Sequence, residues 1–230
     1  VFGLLALLAW RRHWRWWIAA FALVVSLWGI AGSLVVHQAL RFNEPIPLPT
    51  PAFLPTGSGR VLDMGAGSGR STLMVLLARS QATVTALDLY SGYFGIEDNT
   101  PDRLLANARV AGVERRAETV VGDMRKMPFE NGSFDAALSA FAVDHLPARD
   151  IPTALTEAAR VLKPRGQFLY LGLNVDWYVR LAFPPIHGHG NYWTRSETFS
   201  KWRAMLEDAG FELVDEGTQP GTIYVLGQKK

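Results

Sequence analysis

The chain has 230 residues, no cysteine and a formal charge of +2; it is long enough for one sizeable domain with an appendage, and it excludes disulfides, thiolate metal sites and a cysteine nucleophile. The charge misleads as a guide to partners, because residues 1–40 hold three arginines and no acid, leaving 20 basic against 21 acidic residues in the remainder. A nucleic-acid enzyme would carry a net basic excess on its domain, so no nucleic-acid partner is expected.

The first element in chain order is "IAAFALVVSLWGIAGSLVV", residues 18–36, nineteen residues without a charge and long enough to cross about 30 Å of hydrocarbon as a helix. Ahead of it stand "VFGLLALLAW", too short to span alone, and "RRHWRWW", whose arginines and tryptophans suit a headgroup layer. Five of the eight tryptophans fall in the first 28 residues, which assigns the aromatic surplus to this segment. A cleaved signal peptide competes with this reading, but the apolar run is too long and "SLVVHQALRF" offers a poor small-x-small cleavage site. A core helix packed on the domain is the other alternative, but no polar stripe breaks the run to mark a solvent face. The expectation is a membrane anchor over residues 1–42, its spanning helix at about 18–40. The stretch "NEPIPLPTPAFLPTGSG" then has five prolines and no helical period, so residues 43–58 read as a stiff linker and residues 59–230 as the folded domain.

Within that domain, strands are expected at "RVLDMG", "TVTALDL", "AETVVGD", "FDAALSA" and "GQFLYLGL", and helices at 71–80, 102–111, 151–162 and 196–209. Thr100 followed by Pro101 supplies an N-cap and a first-turn proline for the second helix. The ending, "FELVDEGTQPGTIYVLGQKK", holds two strand-like runs about a Gly/Pro turn and reads as a hairpin. The sum is an α/β fold with a doubly wound, mostly parallel seven-stranded sheet, preceded by the transmembrane helix.

The first strand and helix enclose "VLDMGAGSGRST". A dinucleotide fingerprint needs Gly-x-Gly-x-x-Gly so that a pyrophosphate can sit on the helix N-terminus. Here the glycines are Gly65, Gly67 and Gly69, and Arg70 stands where the last one should fall. Asp63, two residues before the turn, would repel a pyrophosphate but suits a ligand with an ammonium group. The loop therefore favours an amino-acid-bearing nucleoside over NAD.

Four motifs in order, "VLDMGAGSGRS", "VTALDL", "VVGDMRKMPFENGSFDAALSAFAVDHL" and "EAARVLKPRGQFLYLGL", resemble the class I S-adenosylmethionine-dependent methyltransferases, in the small-molecule branch that includes the ubiquinone/menaquinone-biosynthesis enzymes. The likeness runs from residue 59 to about 173 and more loosely to the end. It implies a Rossmann-like fold and S-adenosylmethionine as cofactor. Asp63 would then serve the cofactor's ammonium, and Gly65, Ala66, Gly67 and Gly69 would allow close backbone approach. Asp88, with Leu89 beyond it, would hold the ribose hydroxyls and the adjoining part of the nucleoside. Asp123 and Met124 match the pair that contacts adenine, and Ser139 and Ala140 would set backbone carbonyls beneath the sulfonium. Singly, each acid has a plainer role: Asp63 or Asp123 could cap a helix or turn, and Asp88 could start a loop. As an ordered set they read as cofactor ligands.

The reaction implied is in-line displacement at a methyl carbon, for which alignment matters most. His145, just after the fourth strand, would act as base for a protonated acceptor, with Asp144 orienting it; the plainer alternative is a half-buried packing residue. After the fifth strand, Trp177, Tyr178, Phe183, Tyr192 and Trp193 could wall an acceptor pocket, or pack on the domain or on lipid. His187 and His189 lack a third ligand nearby, so no metal is expected. Three departures stand out: the loop "LYSGYFGIEDNTPDR" is longer than usual, "KPRG" replaces Lys-Pro-Gly-Gly, and no Asn/Asp-Pro-Pro-Tyr element follows the fourth strand. The last argues against adenine-N6 methylation, and the lack of cysteine argues against cytosine-C5 methylation of the covalent kind.

The functional expectation is methyl transfer to a small, lipophilic or membrane-associated acceptor: a quinone precursor, a lipid amine or a thiol. Rival readings are a non-catalytic S-adenosylmethionine-binding membrane module and an NAD(P)-dependent oxidoreductase. Orientation carries a conflict. The arginines before the spanning helix would hold that end in the cytoplasm and put the domain outside, whereas a cytosolic cofactor requires a cytoplasmic domain. A chain that opens without Met allows residues 1–17 to close a first spanning helix, so the anchor is expected to pass once or twice with the domain in the cytoplasm. Oligomeric state is left open.

Overall fold

The computed structural model describes residues 16–35, 46–91, 99–174, 195–219 and 222–230. The uninterrupted apolar run forms helix α1 (Trp16–Val35), which by length and composition is able to cross a membrane. Its side chains are mostly outward-facing, with Trp16, Phe21 and Ile30 more than half exposed.

Chain order then gives β1 (Ser58–Met64), α2 (Arg70–Ala78), β2 (Gln81–Asp88), α3 (Pro101–Val110) and β3 (Ala117–Val121). These are followed by β4 (Phe134–Ala140), α4 (Ile151–Val161), β5 (Leu162–Leu173), α5 (Arg195–Asp208), β6 (Phe211–Gln219) and β7 (Thr222–Lys229). The sheet has seven strands in the order β3-β2-β1-β4-β5-β7-β6. Strands β1 to β5 are parallel, and β7 runs antiparallel between β5 and β6. Strand order therefore reverses between β1 and β4, where open α/β sheets leave a crevice at their carboxyl ends.

Central strands of such a sheet are covered on both faces, which calls for continuous apolar runs rather than alternation. Val61, Leu62 and Met64 of β1 and Ala136, Ala137 and Leu138 of β4 are accordingly buried. One face is filled by Phe134, Phe168, Tyr170, Trp202 and Phe211 with the inner side of α4; the other by Val75, Leu76, Val84, Leu169 and Leu226.

Element boundaries depart from expectation where a tertiary contact intervenes. Helix α2 stops at Ala78 because Arg79 turns extended and its guanidinium donates to the carbonyls of Phe53 and Pro51. Strand β3 stops at Val121, since Gly122 leaves the ladder to donate to the Asp88 carbonyl at 3.0 Å. Thr100 caps α3 as expected, its hydroxyl accepting from the Arg103 N–H at 3.2 Å.

The Pro-rich segment is bound to the domain from residue 46 onward. Phe53 is fully buried, and Ile46 and Leu54 nearly so, in the core shared with Val61 and Leu169. Gln167 holds the segment from both sides, accepting from the Leu54 N–H at 2.7 Å and donating to the Ala52 carbonyl at 2.9 Å. Thr50 adds a bond to Asp215 at 2.6 Å. Phe53→Ala is thus expected to cost about 3–5 kcal/mol, the penalty of a large core truncation; a urea midpoint unchanged from the parent would show the segment to be peripheral.

Candidate cofactor cleft

The carboxyl ends of β1, β2 and β4, with the turn after β3, enclose a cavity of ≈ 380 Å³. Seven of the singled-out residues line it: Gly65 and Gly67 from the glycine turn, Asp88 and Leu89 from β2, Asp123 and Met124 after β3, and His145 after β4. Asp63, Ala66, Gly69, Ser139, Ala140 and Asp144 are not among its lining residues. Trp177, Tyr178, Phe183, Tyr192 and Trp193, with His187 and His189, lie outside the described residues.

The glycine turn needs its glycines for two separate reasons. Gly65 sits at φ 82°, and a Cβ there would lie 2.3 Å from the Ala142 Cβ. Gly67, at φ 53°, has no neighbour within 3.4 Å of a built Cβ; its backbone conformation alone favours glycine. The Gly67 N–H donates to Asp88 Oδ2 at 2.9 Å, and the Tyr90 N–H donates to Asp88 Oδ1 at 2.7 Å. Asp88 therefore ties the turn to its own strand end while keeping lone pairs for a ligand. Asp88→Ala should weaken nucleoside binding at least tenfold, about 1.4 kcal/mol, and calorimetry giving the parent affinity would remove Asp88 from the site.

Asp63 is fully buried beneath this turn. One carboxylate oxygen, Oδ2, accepts from the hydroxyls of Ser71 and Thr72, each at 2.7 Å, which fixes the first turn of α2. The other, Oδ1, has no hydrogen-bond partner among the described residues. Burial lifts the Asp63 pKa to about 6 against those two hydroxyl bonds, and the negative Asp88 nearby lifts it further. A buried carboxylate with one idle oxygen is costly, and a cationic group at that oxygen would relieve the cost. Both roles foreseen for Asp63 are thus compatible: one oxygen holds the helix and the other is left over.

Asp123 is held by its neighbour. Its carboxylate accepts from the Arg125 N–H at 2.8 Å and from the Arg125 guanidinium at 2.7 Å, and that guanidinium also reaches Asp150 at 2.8 Å. Arg125 keeps the Asp123 carboxyl below the ordinary aspartate range. Ser139 is buried, donating to the Met64 carbonyl at 2.9 Å and accepting from the Val143 N–H at 3.1 Å; it joins β4 to β1 and to the turn that follows. Phe141 and Ala142 come next in the chain and do line the cavity. Phe141 is left-handed at φ 53°, its N–H bonded to the Leu171 carbonyl at 2.9 Å.

His145 ends a short 3-10 turn, Val143–His145. Its neighbour Asp144 points into the protein, toward the Tyr170 hydroxyl at 3.5 Å, and Tyr170 stacks on Trp202 with ring centroids 3.6 Å apart. Burial raises the Asp144 carboxyl pKa, partly countered by the charge of His145.

Sequence reasoning missed Ser91, Asn99, Gly122, Arg125, Phe141, Ala142 and Leu146, all of which line the cavity. The signal for Phe141 and Ala142 was available, because crevice residues lie just beyond strand carboxyl ends and β4 ends at Ala140. Asn99 carried none: it stands 32 residues after Gly67 in sequence, and only the fold brings its side-chain oxygen within 3.9 Å of where a Gly67 Cβ would be.

Residues 61–166 match a family model described as a methyltransferase domain. A ubiquinone/menaquinone biosynthesis C-methyltransferase UbiE of Brucella abortus is 31% identical over 188 residues, covering 72% of this chain and 66% of that protein. Its counterpart in Rickettsia felis is 28% identical over 199 residues, covering 75% of this chain and 76% of that one. Among solved structures, an S-adenosylmethionine-dependent methyltransferase from Methanosarcina mazei superposes with a TM-score of 0.56 at 21% identity, covering 75% of this chain and 93% of that one. A 1,6-didemethyltoxoflavin-N1-methyltransferase from Burkholderia thailandensis, solved with S-adenosylhomocysteine, gives 0.54 at 22% identity, covering 88% and 78%. At such identities these two likenesses speak for the fold alone.

Proposed function

Residues 61–166 form a methyltransferase domain of the S-adenosylmethionine-dependent class, and from that premise we propose that the chain transfers the cofactor's methyl group to a small-molecule acceptor met at a membrane. The observation that carries the cofactor assignment into this cleft is its lining by the Gly65–Gly67 turn and Asp88, with the buried Asp63, whose Oδ1 has no partner among the described residues, directly behind that turn. A dinucleotide would bring a pyrophosphate toward that carboxylate; the amino-acid end of S-adenosylmethionine brings an ammonium.

When bound, the cofactor supplies a methyl on a positively charged sulfur, already an excellent leaving group. The chain's own residues then bind and align. Asp63 takes the ammonium, with the backbone of Gly65 and Gly67 passing close. Asp88 accepts from the ribose hydroxyls through the lone pairs left by Gly67 and Tyr90. Asp123 and Met124 border the adenine end, where Arg125 already occupies the Asp123 carboxylate and fixes its direction. Phe141 and Ala142, rather than Ser139 and Ala140, face the reacting centre, since they line the cavity. His145 accepts the acceptor's proton if one must leave, while Asp144 beside it turns inward to the Tyr170 hydroxyl.

Residues 1–42 act as the anchor in this proposal, with the domain in the cytoplasm. Helix α1 supports it by length and composition. The relatives' names concern quinone biosynthesis, which supports a quinone precursor beside lipid amines and thiols as the acceptor class. The test is incubation of the chain with methyl-labelled S-adenosylmethionine and separated membrane and soluble extracts, followed by mass analysis. A labelled small molecule from the membrane fraction is expected; label found only in soluble products would overturn the membrane-acceptor part, and label found in no product of either extract would overturn the transferase.

A further inference from the structure

Buried polar side chains are paired as a rule, and three exceptions stand about the glycine turn. Asp63 Oδ1, Tyr90 Oη and Asn99 Oδ1 are each shut off from solvent with no hydrogen-bond partner among the described residues.

Tyr90 comes there through Asp88. Strand β2 ends at Asp88, whose two carboxylate oxygens accept from the N–H groups of Gly67 and Tyr90, so the turn and Tyr90 meet across one side chain. The chain bends sharply at that bond: Tyr90 stands at φ 47°, a left-handed conformation that bulky side chains rarely adopt. The residue as a whole is half-buried, yet the hydroxyl at the far end of its ring is enclosed. Burial, and then the negative charges of Asp88 and Asp63, push the phenol above its ordinary range. Both carboxylates are therefore within electrostatic reach of a hydroxyl that keeps its proton. Phenylalanine would fill the same space and leave nothing unpaired, so packing alone does not account for the oxygen.

Asn99 arrives from the other direction. It precedes Thr100, the cap of α3, and lines the cavity with its side-chain oxygen 3.9 Å from where a Gly67 Cβ would be. Asn107, on α3, shows what an asparagine does here in a structural role: its Nδ2 donates to the Ser68 carbonyl at 2.9 Å and braces the turn. Asn99 Oδ1 makes no such bond.

The three oxygens are chemically alike, because a carboxylate, a phenol and an amide carbonyl all accept. Asp63 and Asp88 make the surroundings negative, so an anion is repelled, and a neutral hydroxyl offers one donor to three acceptors. A primary ammonium carries a positive charge and three N–H donors, one for each idle oxygen.

We propose that Tyr90 Oη and Asn99 Oδ1 join Asp63 Oδ1 in a three-oxygen site for the primary ammonium at the cofactor's amino-acid end, and so select nucleosides that carry it. The inference rests on the Asp63 reading above and deepens it: Asp63 supplies charge, while Tyr90 and Asn99 supply direction. The phenol also has a proton to donate, which suits the carboxylate that accompanies the ammonium in an amino acid. A nucleoside without that end leaves all three oxygens as they are in the free protein.

Calorimetry on the full chain at about pH 8, where Asp63 is ionised, tests this with two probes: S-adenosylhomocysteine, which carries the amino-acid end, and methylthioadenosine, which lacks it. Tyr90→Phe and Asn99→Ala should each weaken the first probe about tenfold, the weight of a hydrogen bond to a charged group, and leave the second unchanged. Asn99→Asp keeps an oxygen and should restore most of what Asn99→Ala loses. The ligand-free Tyr90→Phe chain should melt at the parent's temperature or above it, since it sheds an unpaired buried hydroxyl; this separates a lost contact from unfolding. Equal losses for the two probes, or a variant of Tyr90 or Asn99 that keeps the parent's preference for the first, overturns the three-oxygen site and leaves the Asp63 reading standing. A parent chain that binds both probes equally sinks the Asp63 reading itself.

Discussion

Asp63→Asn is expected to make the cofactor-free protein more stable at pH 7 and to remove most of its affinity for S-adenosylmethionine. The Asp63 pKa is about 6 in the folded chain against 3.8 for an unperturbed aspartate, with burial the main cause. Because the folded pKa is raised, the folded state binds more protons than the unfolded one between these values. Stability therefore falls as pH rises from about 4 to about 6, and the penalty persists above, amounting to about 3 kcal/mol at pH 7. Asparagine keeps an oxygen for the hydroxyls of Ser71 and Thr72 and carries no charge, so it should recover up to that amount at pH 7 and almost nothing at pH 4. Denaturant unfolding at the two pH values reads this directly.

The same carboxylate makes cofactor binding pH-dependent. An ammonium at Oδ1 favours the ionised form, so binding expels the proton wherever the free protein holds one. Affinity should fall about tenfold per pH unit below 6 and level off above 7. The Asp63→Asn variant should lack that slope and bind at least about thirtyfold more weakly, the cost of removing one member of a buried charged pair. Calorimetric titrations of the parent that give one affinity from pH 5 to 8 would remove the ammonium from Asp63.

Gly65→Ala carries the second large effect, through geometry. The added methyl would stand 2.3 Å from the Ala142 Cβ and 3.1 Å from the end of Met124, at a φ of 82° that alanine resists. Relief requires β1 and the turn after β4 to separate, and both border the cavity. Overpacking and a forced left-handed alanine together should cost about 2–4 kcal/mol, and nucleoside binding should drop at least about a hundredfold if the turn moves even slightly from its ligand. Gly67→Ala meets no such neighbour and should keep most of its stability, so equal losses in the two variants would show that backbone strain, not the Ala142 contact, governs this turn.

Much of the fold was legible because the apolar pattern and its punctuation agree. Buried parallel strands read as short continuous runs, Thr100-Pro101 announced α3, and the final Gly/Pro turn announced the hairpin. The cleft was legible where its lining hangs on a strand end, as with Asp88 and the glycine turn. Illegible were the contacts that join distant stretches: Arg79 reaching back to Phe53, Gln167 holding Ala52 and Leu54, and Asn99 arriving beside Gly67. The five prolines of residues 43–59 suggested a spacer because proline is aperiodic and stiff, and nothing local revealed that Phe53 between them would be swallowed by the core. For Ser139, sequence placed the residue near the centre of the site but not the direction of its hydroxyl, which turns inward to Met64.

Phe53 and its docked neighbours also determine where this enzyme can be cut. A shortened version begun at the first strand would expose the hydrophobic seat of Phe53 and Leu54, deprive the Arg79 guanidinium of two acceptors and leave Gln167 without its partners in that segment. One begun at Ile46 retains all of these, so the shortest sound catalytic fragment starts a dozen residues ahead of the sheet.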